Sequence, residues 1–345
     1  MDATAEILKP KKKAKWKIVL LMVLSLIMLT IGSGFVYEWI ASEQAKRNFP
    51  PPGKLVDVGG YRLHINKIGA GSPTILLEAG SGETSLSWRN IPKQLAEFAT
   101  VVSYDRAGYA WSEKANTERT GANIVHEIHT ALDKEGIGGP YIIVGHSLGG
   151  MYARLFAQTY RDEVAGLVLV DARPENDERD TKAIYSQEKF QGNPPASILK
   201  LLKMSGGFRL FKDFLLDGLV AKEDREQFIN VIAKPSFFEA KEKEGNLAHT
   251  TEDAIRDQNL GSLPVKIIAR GVMPDVSKAG ISAEGGRKIE EIWQAGQRNM
   301  LNISTDSQLI VAKKSGHYVI HDEPDLVVNV IRSLFDKVSA NSGGR

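Results

Sequence analysis

The stretch of this chain best suited to chemistry is Gly145-His146-Ser147-Leu148-Gly149-Gly150. It follows Tyr141-Ile142-Ile143-Val144, an apolar run with a β-branched centre that reads as a buried strand. It leads into Met151-Tyr152-Ala153-Arg154-Leu155-Phe156-Ala157, which has helical spacing. A strand that becomes a helix within about two residues forces the residue at the corner into a strained backbone conformation, and glycines on either side leave room for the turn. Ser147 is that residue. The turn pushes its hydroxyl out above the sheet, where a base and a substrate can reach it.

The flanking chain supplies the elements that would hold such a corner. Residues 55–58 and 61–65 alternate and meet at Gly59-Gly60, which reads as a hairpin. Strand-like runs follow at 74–78, ending in Ala79-Gly80-Ser81-Gly82, and at 101–104, leading into Asp105-Arg106-Ala107-Gly108-Tyr109-Ala110-Trp111-Ser112. A helix is expected over 121–135, with Ile124, Ile128 and Leu132 on one face, and another from the corner to Tyr160. Residues 164–170 are a further buried strand, ending at Asp171. Strands and helices alternating at this spacing predict an α/β fold, a mostly parallel central sheet with helices on both faces.

From residue 173 to about 262 the rhythm changes, and helices are expected over 197–203, 208–216 and 222–233. Phe208, Phe211, Phe214, Phe228, Phe237 and Phe238 are concentrated here. Packing in the core is the favoured reading of each ring, and lining the roof of a pocket the alternative. An insertion of this length between two strands fits a helical cap above an active site. The sheet pattern resumes at 265–269, before Arg270-Gly271-Val272-Met273-Pro274-Asp275. A helix over 284–300 carries Trp293, and a last strand spans 308–312. Pro324 opens the final helix. The main domain is expected over 54–338, with a disordered tail over 339–345.

The N-terminal segment is of a different kind. Lys9, Lys11, Lys12, Lys13, Lys15 and Lys17 precede an uncharged run from Ile18 to Tyr37, flanked by Trp16, Tyr37 and Trp39. About twenty apolar residues in a helix span about 30 Å, the thickness of a bilayer core. Residues 18–40 are therefore expected to be an uncleaved single-pass anchor. The lysines hold residues 1–17 in the cytoplasm and the remainder is delivered across the membrane. A cleaved signal, giving a secreted protein, is the alternative, but its apolar core is usually about 7–15 residues. Polar 41–47 and Pro50-Pro51-Pro52-Gly53 read as a linker over 41–53.

The chain has 345 residues, 42% hydrophobic and 25% charged, with a formal net charge of +2, which gives no reason to expect a nucleic-acid partner. It has no cysteine, which excludes disulfides, thiolate metal sites and a cysteine nucleophile. No cofactor and no metal is implied.

The corner at Ser147, the loop Asp105–Ser112, and Ser315-Gly316-His317 followed by Asp322-Glu323-Pro324 resemble, in order and spacing, the α/β-hydrolase superfamily. The likeness is greatest to its esterase-type members with a helical cap. Ala110 departs from the glycine usual in relatives. The resemblance makes Ser147 the nucleophile at the elbow, and His317 the general base. His321 is the competitor of His317, and His146 is expected to point away from the nucleophile. His126 and His129 lie three apart on a helix and read as surface residues, with nothing nearby in sequence to complete a metal site. For the acid, Asp275 is slightly preferred, and Asp171, after the preceding strand, is the alternative. The oxyanion donors would be the backbone N–H groups of Leu148 and Ser81.

The expected reaction is cleavage of a small-molecule ester through an acyl-enzyme. A serine at the corner argues against haloalkane dehalogenase or epoxide hydrolase chemistry, whose relatives carry aspartate there. Acyl transfer to an alcohol is an alternative on the same triad. So is aminopeptidase action, which an amine-capturing acidic cluster would favour; Glu175, Asp177, Glu178 and Asp180 read instead as a solvated face. The last alternative is an anchored binding protein without activity.

Overall fold

One sheet of eight strands runs through the computed structural model, which describes residues 12–188, 190, 192, 194–217 and 220–342. The strands are β1 (Lys54–Asp57), β2 (Arg62–Ile68), β3 (Thr74–Glu78), β4 (Val101–Asp105), β5 (Tyr141–His146), β6 (Val164–Val170), β7 (Val265–Arg270) and β8 (Ser307–Ala312). Their spatial order is β1-β2-β4-β3-β5-β6-β7-β8. β2 pairs antiparallel with both neighbours, and every other pairing is parallel. The helices in order are α1 (Lys12–Asn48), α2 (Ile91–Leu95), α3 (Gly121–Lys134), α4 (Leu148–Thr159), α5 (Asp177–Gln187), α6 (Ala196–Met204) and α7 (Gly207–Leu210). They continue with α8 (Lys212–Leu215), α9 (Arg225–Gln227), α10 (Pro235–Ile255), α11 (Ala283–Asn299), α12 (Val319–Asp322) and α13 (Pro324–Ser342).

Side-chain alternation sets where the core lies. Tyr141 and Ile143 of β5 point to one face with Leu167 and Leu169 of β6, packing against Ile128, Met151 and Phe156 of α3 and α4. Ile142, Val144, Val168 and Val170 point to the other, against Ile91 of α2 and Val327 and Ile331 of α13. Both faces are covered, so β5 and β6 read as unbroken apolar runs.

Two boundaries differ from the sequence reading. Residues 41–48 continue α1 and do not form a linker, because Ser42 donates to Glu38 (2.7 Å), Lys46 pairs with Glu43, and Ala45 is buried. Only 49–53 remain outside regular structure. At the other end α13 runs to Ser342, into the segment read as tail; residues 343–345 lie outside the described residues, as do 1–11 at the N-terminus. The stretch Trp16–Asn48 of α1 is long and apolar enough to cross a membrane, and none of its most apolar window is buried. It is a candidate membrane anchor or signal sequence.

Between β6 and β7 lie helices α5 to α10. Two of them were not legible: α5, with a polar sequence, and α10, whose 21 residues follow Pro235 at its first turn. Phe208, Phe237 and Phe238 form the cap's own core with Tyr109, and Phe228 packs against it half-buried. Phe211 and Phe214 are exposed and lie outside that core.

The loop after β4 is the seat of the cap. A Cβ on Gly108 would lie 2.8 Å from Ala240 Cβ and 3.0 Å from Ser236 O, both in α10. Arg106 Nε and Tyr109 Oη donate to buried Glu244 of α10 at 3.1 and 2.8 Å. Arg106 also donates to Glu78 at 2.8 Å. Ala110, which departs from the glycine usual in relatives, has φ 34°, the left-handed backbone that glycine adopts without strain. Glu244→Ala leaves buried donors without their acceptor and should cost about 3–5 kcal/mol, read from the denaturant midpoint. A loss below about 1 kcal/mol would mean the network behaves as a solvated surface pair.

Candidate active site

Chain order and sheet order part company at β3: the chain steps outward to β4 and then returns to β5 on β3's other side. The C-terminal ends of β3 and β5 therefore border a crevice, the usual place for a ligand in an open α/β sheet. Ser147 stands in that crevice, between β5 and α4, with φ 52° and ψ −123°. Its neighbours explain why the corner is glycine-rich. A Cβ on Gly149 would lie 2.4 Å from Glu78 O and 2.5 Å from Ala79 O, and one on Gly150 would lie 2.3 Å from Ala172 Cβ. Ser147 N donates to Val170 O at 3.1 Å, and Arg173 N donates to Ser147 O at 2.9 Å, so the next strand's loop braces the strained residue.

His317 reaches the same point from the loop after β8. Its Nε2 is 2.9 Å from Ser147 Oγ, and its Nδ1 is 2.6 Å from Asp171 Oδ2. With an acceptor at Nδ1, that nitrogen carries the proton and Nε2 is free to accept from the serine. The preference for Asp275 does not match this geometry. Asp275 is exposed, and its Oδ1 accepts from Ser277 N at 3.0 Å. Asp171 is fully buried and, at φ 38°, takes a left-handed turn at the end of β6. Arg270 N (3.1 Å) and Trp293 Nε1 (2.9 Å) donate to its Oδ1, and Arg270 Nη1 (3.1 Å) donates to its Oδ2. Burial pushes the Asp171 carboxyl up, but His317, Arg270 and Trp293 outweigh it and hold the pKa below the usual range. Arg270 also lies over the Trp293 ring, 4.5 Å from its centroid, and is fixed by Glu290 at 2.6 Å.

The other histidines have different work. His146 is fully buried, with both ring nitrogens engaged elsewhere than the serine; its Nδ1 is 2.8 Å from Glu83 Oε2 and its Nε2 is 2.9 Å from His317 O. Two acceptors are satisfied only by a doubly protonated ring. Burial opposes charge on both partners, yet their attraction prevails: His146 is held above its usual pKa and Glu83 below its own. Glu83 accepts from Gly80 N as well, at 2.7 Å. His146 thus joins the β3 loop to the backbone that carries His317, a connection that sequence reasoning missed. His321 Nε2 donates to Ser87 O at 2.8 Å, away from Ser147. His126 is exposed, whereas His129 is half-buried, stacked on Tyr160 and 3.0 Å from Glu163.

Leu148 is the first residue of α4, and Ser81 lies exposed in the turn after β3. Arg106 donates to Ala79 O (2.6 Å) and Gly80 O (2.7 Å), which holds the carbonyls of that loop inward. The acidic cluster after β6 is partly neutralised: Arg154 binds Glu175 at 2.7 Å, and Arg173 pairs with Asp177 at 3.2 Å and with Glu252 at 2.8 Å.

A family model described as alpha/beta hydrolase fold matches residues 73–265. A probable transporter, efuK, of Hormonema carpetanum is 25% identical over 83% of this chain and 43% of its own length. The chain spans half or less of the first two curated relatives it matches. Among solved structures, an epoxide hydrolase, CorEH, superposes with a TM-score of 0.59 at 21% identity, covering 83% of this chain and 98% of that one. An esterase from Thermogutta terrifontis superposes at 0.56 with 19% identity and the same coverage of both chains. At these identities the two structures show a shared fold.

The His146–Glu83 pair makes a pH-dependent contribution to stability. His146 is raised from 6.5, so its share is fully present below that value and is lost as pH rises through the folded pKa. Glu83 is lowered from 4.5, so its share is present above that value and is lost as pH falls through the folded pKa. The stability gap between wild type and Glu83→Gln should therefore be widest between those two values and narrow on either side, measured from urea midpoints across pH. A gap independent of pH would contradict the ion pair.

Proposed function

This chain belongs to the α/β-hydrolase fold family, and from that premise we propose that it is a serine hydrolase cleaving a carboxylic ester through an acyl-enzyme. One observation carries the reading: an unbroken hydrogen-bonded chain from Ser147 Oγ through His317 to buried Asp171, at a strained corner beside the β3 loop. Ser147 Oγ attacks the ester carbonyl as its proton passes to His317 Nε2. Asp171 accepts from Nδ1–H, keeps the ring in the productive tautomer and stabilises the imidazolium. The N–H groups of Leu148 and Ser81 receive the developing oxyanion, aided by the positive end of α4. The imidazolium then returns its proton to the departing alcohol. Water, activated by the same ring, releases the acid and regenerates Ser147.

The fold is shared with epoxide hydrolases, but the hydroxyl at the corner favours acyl chemistry over the carboxylate attack of those relatives. The arginine partners of Glu175 and Asp177 weigh against amine capture by that cluster, and so against an aminopeptidase. We further propose that α1 is a single-pass anchor with its lysine-rich end in the cytoplasm and the hydrolase domain outside it.

Asp171→Asn should lower kcat on a short p-nitrophenyl ester by roughly 10⁴-fold, as losing the triad's acid does when geometry is kept. Asp275→Asn should stay within about threefold of wild type, since surface positions away from the site tolerate change. The reverse order would move the acid to Asp275, and near-normal rates for both would place it elsewhere.

A further inference from the structure

The outer faces of α6, α7 and α8 do not fit a helix in water. Ile198, Leu201, Met204, Leu210, Phe211 and Phe214 are 51%, 60%, 45%, 65%, 60% and 83% exposed. The inner faces of these helices are already committed: Ala196 and Phe208 pack in the cap core, and Leu215 packs against it half-buried. A short helix apolar on both its inner and outer sides has a second apolar environment to meet. Among the described residues outside α1, the other exposed large hydrophobics are Phe190, Val272, Met273, Val311 and Tyr318, which form no comparable run.

The position of this patch says what covers it. The turn joining α6 to α7 is clamped onto α1 where the helix leaves its apolar run. A Cβ on Gly34 would lie 2.5 Å from Ser205 O, and one on Gly206 would lie 3.3 Å from Gly34 O and 3.4 Å from the Tyr37 ring. One turn on, buried Glu38 binds Lys203 at 2.6 Å and Arg209 at 2.8 Å. Counting about 30 Å of hydrocarbon from Ile18 brings α1 out near Tyr37. The α6–α7 turn, from whose two sides the patch extends, is therefore level with the aromatic residues Tyr37 and Trp39, which are themselves 50% and 67% exposed. The nearby charges have partners: Asp213 and Asp217 both bind Arg225 at 3.0 Å, and Lys200 and Lys212 reach Glu239 and Glu226.

We infer that the outer face of α6–α8 lies in the interfacial layer of the bilayer that α1 crosses, so that the cap is seated on lipid. The inference rests on the anchor reading of α1. It gives the α1–cap clamp a purpose: Glu38, Lys203 and Arg209 fix the depth at which Leu210, Phe211 and Phe214 enter the headgroup region. It also turns the cap toward substrates dissolved in the membrane.

The chain has no cysteine, so a single introduced thiol can be labelled without ambiguity. Full-length Leu210→Cys and Phe214→Cys, with Leu26→Cys in α1 and Lys337→Cys on α13, are labelled with an environment-sensitive NBD maleimide and reconstituted into phosphatidylcholine vesicles. The inference predicts that spin-labelled lipid lowers emission roughly twofold at 26, 210 and 214 and leaves 337 unchanged. Quenching at 26 with none at 210 and 214 would overturn the cap's seating and leave the anchor standing. No quenching at 26 would overturn both. Protection at 210 and 214 that disappears when protein is diluted in lipid would assign the face to a second copy of the chain, and would also overturn the inference.

Discussion

Everything at the site depends on a steric constraint at the end of β5. Ser147 stays in a left-handed backbone because Gly149 and Gly150 lie against Glu78 O, Ala79 O and Ala172, closer than any side chain allows. Relaxing the corner would part those contacts and break the bonds from Ser147 N to Val170 O and from Arg173 N to Ser147 O. Strain of this kind costs on the order of 1–3 kcal/mol and persists only where the surroundings over-determine it. Here two buried apolar layers, one on each face of β5 and β6, hold the strand ends in place.

Another non-glycine residue with positive φ, Asp171, belongs to the facing loop, and the two loops are interlocked through Arg173 N and Ser147 O. Arg270 and Trp293 aim the carboxylate, and His146 with Glu83 fixes the carbonyl of His317 from the other side. His317 is thus gripped through its side chain by the β6–β7 side and through its backbone by the β3–β5 side. The same β3 loop is held by Arg106, whose other partner, Glu244, belongs to the cap. One continuous set of charge-assisted bonds therefore runs from the cap, through the loop beside the crevice, to His317. Placement to fractions of an ångström comes from such supporting contacts more than from the reacting groups.

Much of this was legible from residue order. The strands of the domain, the α3 and α4 helices, and the pairing of Ser147 with His317 follow from periodicity, the glycine corner and the family resemblance. The choice between Asp171 and Asp275 did not, because both follow a sheet strand and the outcome turns on side-chain direction. Asp171 is turned inward by its left-handed backbone and received by Arg270 and Trp293, which come from a strand end and a helix well over ninety residues away. His146 gave no signal for the same reason: its partner Glu83 sits in an irregular loop. The end of α1 departs from the linker expectation because polar residues 41–48 suit a linker and a solvated helix equally, and only packing against the domain decides. The exposure of Phe211 and Phe214 could not be read from aromatic spacing, which is the same for a helix facing a core and one facing lipid.

The proposed chemistry requires that Ser147 be the one hydroxyl made nucleophilic by His317. The most direct measurement is peptide mapping by mass spectrometry after a fluorophosphonate is added to folded wild type, Ser147→Ala and His317→Gln. The account predicts a single adduct on the peptide that carries Ser147, absent in the first variant and formed far more slowly in the second. An adduct on another residue, or an unmodified Ser147 in folded wild-type protein, would contradict it.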